Sequence, residues 1–570
     1  MSGAPMSGAP VSGAPVSGGG LTVQTSGPSL LSARDDLLAR AVSEGLAAAL
    51  AKKDPTLWGP EATPEAGVRL GWLDVVDKGR ALLPELAALR DELLAEGVDR
   101  VILAGMGGSS LAPEVICATY GAPLVVLDTT DPGQVRAALV DLERAVVVVS
   151  SKSGGTVETD SHRRAARAAF TAAGIDPSRR IVVVTDPGSP LAQTAADEGS
   201  RAIFLADPDV GGRYSALTAF GLVPAALVGV DVWAILDDAA ALLDTLTEPA
   251  SPALVLGAAL GAGAMAGRDK LVVVDAGSGL QGFGDWAEQL IAESTGKEGK
   301  GLLPVVVEGM DAPGTEPAGD SHLVVLRASA GDLPGDPAVG DAAAGDAAAG
   351  SPAAVPLGTL VSGPLGAQLL GWEYATAVAG WALRINPFDQ PNVQESKDNT
   401  GAILRGARPP VTEPLFVEGS VEVYATGDLL ADATTLPEAV SALLGSVPDR
   451  GYLAVMAYLD RHADARAGEL RMALAARLAH PVTFGWAPRF LHSTGQFHKG
   501  GPQTGAFLQV TGAVSEDLQV PDRDYTFGDL QTAQAMGDLG ALAARDRPVL
   551  RLHLRDRRAG LVALLAAIRH

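Results

Sequence analysis

The sequence predicts an α/β protein of parallel sheets covered by helices, and three observations lead there. Short, almost uninterrupted β-branched runs recur along the chain, amphipathic stretches of helical length separate them, and Gly- and Ser-rich turns follow several strand ends. Strands that are apolar throughout are buried on both faces, the condition of a parallel sheet between two helical layers.

In chain order, residues 1–20 read MSGAP MSGAP VSGAP VSGGG, a pentad repeat of small and turn-forming residues. They lack the basic and apolar regions of a signal peptide, and the segment 1–30 reads as a disordered Ser/Gly/Ala/Pro tail. Ser32 offers an N-cap to the helical ARDDLLARAVSEGLAAALA. The runs RVILAG (100–105), PLVVLD (123–128), AVVVVS (145–150), IVVVTD (181–186) and AIFLA (202–206) then place a first α/β domain at 31–235. The apolar stretch ALVLGAALGAGAMAG (253–267) has 15 residues, too few to cross a bilayer, and suits a buried helix. KLVVVD (270–275), LLPVVVE (302–308) and HLVVLRA (322–328) mark a second domain at 236–408, with a low-complexity insertion at 331–354. The C-terminal segment, 409–570, alternates YLAVMAYL (452–459), PVTFGW (481–486) and FLQVTG (507–512) with helical patterns. The sequence leaves open whether that extension completes the second sheet or stands apart.

Composition narrows the function. Lys and Arg number 43 against 67 Asp and Glu, a net charge of −24 over 570 residues. Such an acidic chain is a poor binder of nucleic acid or of an anionic membrane, because neutralising phosphates takes clustered cations. The single cysteine, Cys117, excludes an intramolecular disulfide and any cysteine metal cluster. The eight histidines form no HxH or HExxH pattern, so neither a metal nor another cofactor is expected. The expected location is the cytoplasm.

Two loops carry the chemistry. After the first strand comes GMGGSS (105–110), where glycines let backbone amides approach an anion at the next helix. It lacks the lysine of a Walker A loop, and Ser110 stands where a dinucleotide fingerprint wants Gly or Ala. Asp128 could serve a ribose in a dinucleotide reading, and a plain structural turn is the bland one. The second loop, SKSGGTVET (151–159), puts four hydroxyls, two glycines and a lysine between a strand end and a helix start. A simple N-cap needs one hydroxyl, so the excess of donors points to phosphate. Two such loops on one sheet suggest a small phosphorylated ligand.

GMGGSSLAP, SKSGGTVET, GGRYS (211–215), AESTGK (292–297) and NPFDQPNVQESK (386–397) together resemble phosphoglucose isomerase, as does HSTGQFHKGG (492–501). The layout of the C-terminal part is most similar to the isomerase half of fused transaldolase–phosphoglucose isomerases. The resemblance implies two sugar-isomerase-type (SIS) domains, a sugar-phosphate ligand, and reversible conversion of glucose 6-phosphate and fructose 6-phosphate through an enediolate. It gives Glu293 the role of base, Arg213 that of cation facing the enediolate, and His492 and Lys397 roles in ring opening. Gly108, Ser109, Ser151, Lys152, Ser153, Thr156 and Gln289 carry over as sugar or phosphate contacts. Gln289 precedes Glu293 by four residues, which places both on one helix face. His498 reads as a surface residue. The family also implies a homodimer with a site shared between subunits. Two departures stand out: His492 follows Lys397 in the chain instead of preceding it, and Ser153 and Gly155 replace common threonines. A broader phosphosugar isomerase, also taking mannose 6-phosphate, and a non-catalytic sugar-phosphate regulator are the alternatives. A nicotinamide-linked oxidoreductase is more remote.

Overall fold

A computed structural model describes residues 13–569 apart from 317, 329–357, 408–412 and 431. The insertion expected at 331–354 and residues 1–12 of the expected tail lie outside the described residues. The described residues form three sheets, each flanked by helices.

The first sheet has five parallel strands in the order Leu124–Leu127, Arg100–Gly105, Ala145–Ser150, Ile181–Thr185 and Ala202–Leu205. Every residue of Ala145–Ser150 is buried, which explains its run of four valines: side chains on both faces meet helices. Chain order reverses between Arg100–Gly105 and Ala145–Ser150, where successive connections leave toward opposite edges. Loops part there and open a crevice beyond the carboxyl ends of the strands. Gly105 pairs with Ser150, so the two Gly/Ser loops leave the sheet side by side at that crevice.

The second sheet has four parallel strands, Leu303–Val307, Lys270–Asp275, Ser321–Arg327 and Gly358–Ser362. Its far edge is an antiparallel hairpin, Val16–Gly18 and Leu21–Ser26, with Ser26 paired to Gly358. This corrects the expectation of disorder across 1–30. LTVQTS alternates apolar and polar residues, and Leu21 and Val23 bury completely against the sheet's helices. The small-residue composition of the pentads obscured that period-two pattern.

The C-terminal segment builds a sheet of its own and does not complete the second. Its order is Phe416–Glu418, Val421–Ala425, Val549–Leu554, Gly505–Gly512, Tyr452–Tyr458 and Val482–Trp486. The edge strand Val482–Trp486 runs near Leu303–Val307 without joining its ladder. One apolar cluster nevertheless joins Val272, Val305 and Leu323 of the second sheet to Tyr452, Met456 and Phe507 of the third. Toward the first domain the ties are also polar. Arg557 donates to Asp131 at 2.7 Å, and Arg461 to Glu114 at 2.9 Å. The third unit is therefore packed onto both others, over the crevice of the first sheet.

Candidate active site

The first loop is a seat for two other segments. A Cβ on Gly108 would lie 1.9 Å from the Gly212 carbonyl oxygen, so only glycine lets this loop touch GGRYS. A Cβ on Gly107 would lie 2.7 Å from Gln289 Nε2 and 3.1 Å from His492 Cβ. Ser109, buried, follows in the short 3₁₀ turn Gly107–Ser109.

The second loop opens onto a cavity of about 380 Å³. Ser153, Thr156, Glu158, Lys397, His492 and Gln534 line it. Thr156 occupies the N-cap of helix Val157–Ala172 without a side-chain cap bond. Its hydroxyl contacts Ser151 Oγ at 3.1 Å. Hydroxyls and a helix N-terminus facing one cavity, with a lysine opposite, suit a phosphate. Lys152 is not among them. It ion-pairs with Asp186 and donates to the Pro208 carbonyl at 3.1 Å, away from the cavity lining.

Beside this cavity lies a second group. Helix Phe283–Thr295 carries Gln289 and Glu293, and Gln289 Nε2 donates to Glu293 Oε2 at 3.2 Å and to the His492 carbonyl at 2.8 Å. Arg213, 3% exposed, lies 3.4 Å from Glu293 Oε1. Its guanidinium also donates to Ser294 Oγ at 2.7 Å, Gln390 Oε1 at 2.9 Å, and the carbonyls of Pro387 at 2.7 Å and Asp389 at 3.1 Å. Five donors in a planar fork are thereby held in one orientation. Lys297 binds the same segment through the Asn386 carbonyl at 2.7 Å and Asp389 Oδ1 at 2.6 Å. Burial, with the Arg213 charge, brings Lys297 down to about 8.

His492 joins the two groups. Its carbonyl faces Gln289, and its Nε2 lies 3.0 Å from Glu158 Oε1. Burial alone would raise the Glu158 carboxyl. The charge and hydrogen bond of His492, a backbone bond and the Lys397 charge hold it at about 2 instead. Lys397 stands exposed on helix Val393–Leu404, across the same cavity.

Of the residues singled out from the sequence, Ser153, Thr156, Lys397 and His492 line the cavity. Arg213, Gln289 and Glu293 adjoin it through His492, and Lys152 faces elsewhere. His498 is buried and not on the surface. Its Nδ1 lies 3.0 Å from Tyr452 Oη, and burial pushes it well below the ordinary histidine value. Asp128, the acid a dinucleotide reading would need, is buried against Arg489 Nε at 2.6 Å. Sequence reasoning passed over Glu158, although it lies within the quoted second loop, because an acid in a first helical turn is usually a partner of the helix dipole. It also missed Gln534. The signal there was a polar face, Gln531, Gln534 and Asp538, on an otherwise small and apolar helix. Among the described residues no group of three or more His, Cys, Asp or Glu could hold a metal ion, and no helix is long and apolar enough to cross a membrane.

The family model described as phosphoglucose isomerase matches residues 92–300, which include both loops, Arg213, Gln289 and Glu293. The glucose-6-phosphate isomerase of Thermosynechococcus vestitus is 32% identical, over 53% of this chain and 65% of its own length. That of Rubrobacter xylanophilus is 31% identical, over 55% of this chain and 84% of its own length. A hypothetical protein from Thermus thermophilus, known from its crystal structure, superposes with a TM-score of 0.52 at 24% identity. It covers 66% of this chain and 98% of its own.

Proposed function

The chain belongs to the phosphoglucose isomerase family, and from that premise we propose that it interconverts glucose 6-phosphate and fructose 6-phosphate. The observation that carries the reading is Glu293 set between Arg213 and Gln289, one backbone carbonyl away from the His492–Glu158 pair. Each part has a task in moving a hydrogen between C2 and C1.

The phosphate sits against Ser153, Thr156 and the start of helix Val157–Ala172, and so orients the sugar. His492 has Nε2 engaged with Glu158, which leaves its other ring nitrogen to exchange a proton with the sugar-ring oxygen as the ring opens. Glu158 stays ionised and orients the imidazole. Lys397, across the cavity, serves the same proton exchange. Glu293 then removes the C2 proton of the open-chain aldose. The C2–H electron pair forms the C1–C2 double bond, and the former carbonyl oxygen O1 takes the negative charge. Arg213 faces that charge with donors already fixed, the arrangement that lowers the barrier most. Proton exchange from O2 to O1, and return of the proton from Glu293 to C1, completes the ketose. Atoms and electrons balance without a redox partner.

Turnover of fructose 6-phosphate, followed with a coupled dehydrogenase, tests this directly. The wild type should be active, and Glu293→Gln should lose about 10²- to 10⁴-fold in kcat. A wild type that binds the sugar phosphate without turning it over would make the chain a sensor. A homodimer in the cytoplasm remains our proposal for assembly and location. Because His492 reaches Glu158 within one chain, assembly is not required to deliver the histidine. Sedimentation at assay concentrations should find dimers, and a fully active monomer would retire that part of the reading.

A further inference from the structure

Glu158 Oε1 accepts a second hydrogen bond besides that of His492. Gln534 Nε2 donates to it at 2.7 Å. Gln534 lies in the middle of helix Phe527–Ala543 of the C-terminal unit and is 3% exposed. At the other end of its amide, Gln534 Oε1 accepts from Thr130 Oγ1 at 2.8 Å. Thr130 follows strand Leu124–Leu127 of the first sheet and is fully buried. The chemistry fixes which way the amide points. An ionised carboxylate only accepts, so the amide nitrogen must face Glu158 and the oxygen must face the hydroxyl.

We propose that Gln534 is a positioning residue, which holds the Glu158 carboxylate in the orientation that presents Oε1 to His492. The C-terminal unit thus supplies both the histidine and the amide that aims its partner, while Thr130 clamps the amide from the first domain. The catalytic consequence rests on the isomerase reading above; the positioning itself does not. Alternatives for holding Glu158 are few. The charged or titratable groups facing it are His492 from the 3₁₀ turn Arg489–His492, Lys397 from helix Val393–Leu404, and His162 one turn along its own helix. His492 must move protons, and Lys397 is exposed. Gln534 is the buried neutral donor with a partner on each side, so its geometry does not change with protonation of the site.

The test uses the full chain with Gln534→Ala, Gln534→Glu and Thr130→Val. The first readout needs no substrate: the carboxyl carbon of Glu158, assigned by difference from Glu158→Gln, is titrated by NMR. Loss of a donor to the ionised form should make it titrate at least about one pH unit higher in Gln534→Ala. The second readout is turnover of fructose 6-phosphate. Gln534→Ala should lower kcat about tenfold to a hundredfold, with KM within about threefold. Gln534→Glu should recover activity at acid pH, where the new carboxyl can donate its proton. It should lose activity as pH rises and two carboxylates face each other. A mere space-filling role would give no such pH dependence. An unmoved Glu158 titration together with unchanged kcat in Gln534→Ala overturns the proposal. Should Gln534→Ala fail to fold, Thr130→Val frees the amide's far end, and the same two readouts decide. If the wild type turns over no hexose phosphate, the isomerase reading fails, and the titration alone still supports or overturns the positioning role.

Discussion

Arg213 and Glu158 are both buried ions at one site, and different parts of the chain hold them. Around Arg213 the partners come from Glu293, Ser294 and the segment 387–390, and four of the five are neutral oxygens. Around Glu158 the partners are His492, Gln534 and the Lys397 charge, brought in across sequence separations of 239 to 376 residues (397 − 158 and 534 − 158). The arginine is a fixed cation held mostly by neutral oxygens. The carboxylate depends on a histidine that must change charge as it works. The difference separates the two halves of the proposed reaction: stabilising an enediolate wants permanence, and opening a sugar ring wants a partner that exchanges protons. It also makes the C-terminal unit part of the chemistry, since the Glu158 side is incomplete without it.

Arg213→Ala should break this comparison most severely. It removes the counter-charge of Glu293 and leaves the acceptors at Ser294, Gln390, Pro387 and Asp389 without their donor. Turnover should fall about 10²- to 10³-fold, and unfolding by urea should show a loss of about 3–5 kcal/mol, the usual cost of breaking a buried pair. A variant as stable as the wild type would mean that water replaces the guanidinium easily, contrary to its burial.

Glu158→Gln sharpens the other side. The shape is kept and the charge is lost, so kcat should fall about 10²-fold while KM changes little. Stability adds a pH signature. The Glu158 carboxyl sits at about 2 in the folded protein against an ordinary value of 4.5. A depressed carboxyl stabilises the fold fully above its unfolded value and loses that contribution as pH falls toward the folded one. The wild type should therefore lose its advantage over Glu158→Gln between about pH 5 and pH 2, by on the order of 3 kcal/mol. Urea midpoints at several pH values would measure it, and parallel curves would contradict the pairing with His492.

The same comparison shows what the sequence could reveal. The Arg213 side was legible because its parts are contiguous motifs, GGRYS and AESTGK, and because the apolar strand runs located the sheet ends that present the loops. The Glu158 side was only half legible. His492 came from a motif, but its partner depends on a fold in which residues 158, 492 and 534 meet, and the polar face of Gln531, Gln534 and Asp538 does not by itself say which of them donates to Glu158. The hairpin Val16–Gly18 and Leu21–Ser26 was missed for a related reason: its stability comes from pairing with Gly358–Ser362, over 300 residues away, and not from composition. His498 was misjudged because nothing local shows that the whole short helix Gly495–Gly500, polar residues included, is buried. The second domain and the C-terminal sheet could not be parted from the sequence, since edge strands of parallel sheets look alike whether or not they meet.

The smallest effect is expected at Lys152, the residue whose place differs most from its motif. In the loop SKSGGTVET it is the one cation, and a phosphate-binding role would make Lys152→Met raise KM for the sugar phosphate many-fold. Here the ammonium is engaged with Asp186 and with the carbonyl of Pro208, which ties the loop to the neighbouring strand end. Removing it leaves Asp186, whose carboxyl burial already raises, free to take up a proton without opening the fold. The phosphate would still meet Ser153, Thr156, the helix N-terminus and Lys397. Lys152→Met should therefore change KM by no more than about threefold and stability by about 1 kcal/mol or less. A KM raised tenfold or more, with kcat unchanged, would show that the lysine leaves Asp186 when substrate arrives, and that the loop closes on the phosphate.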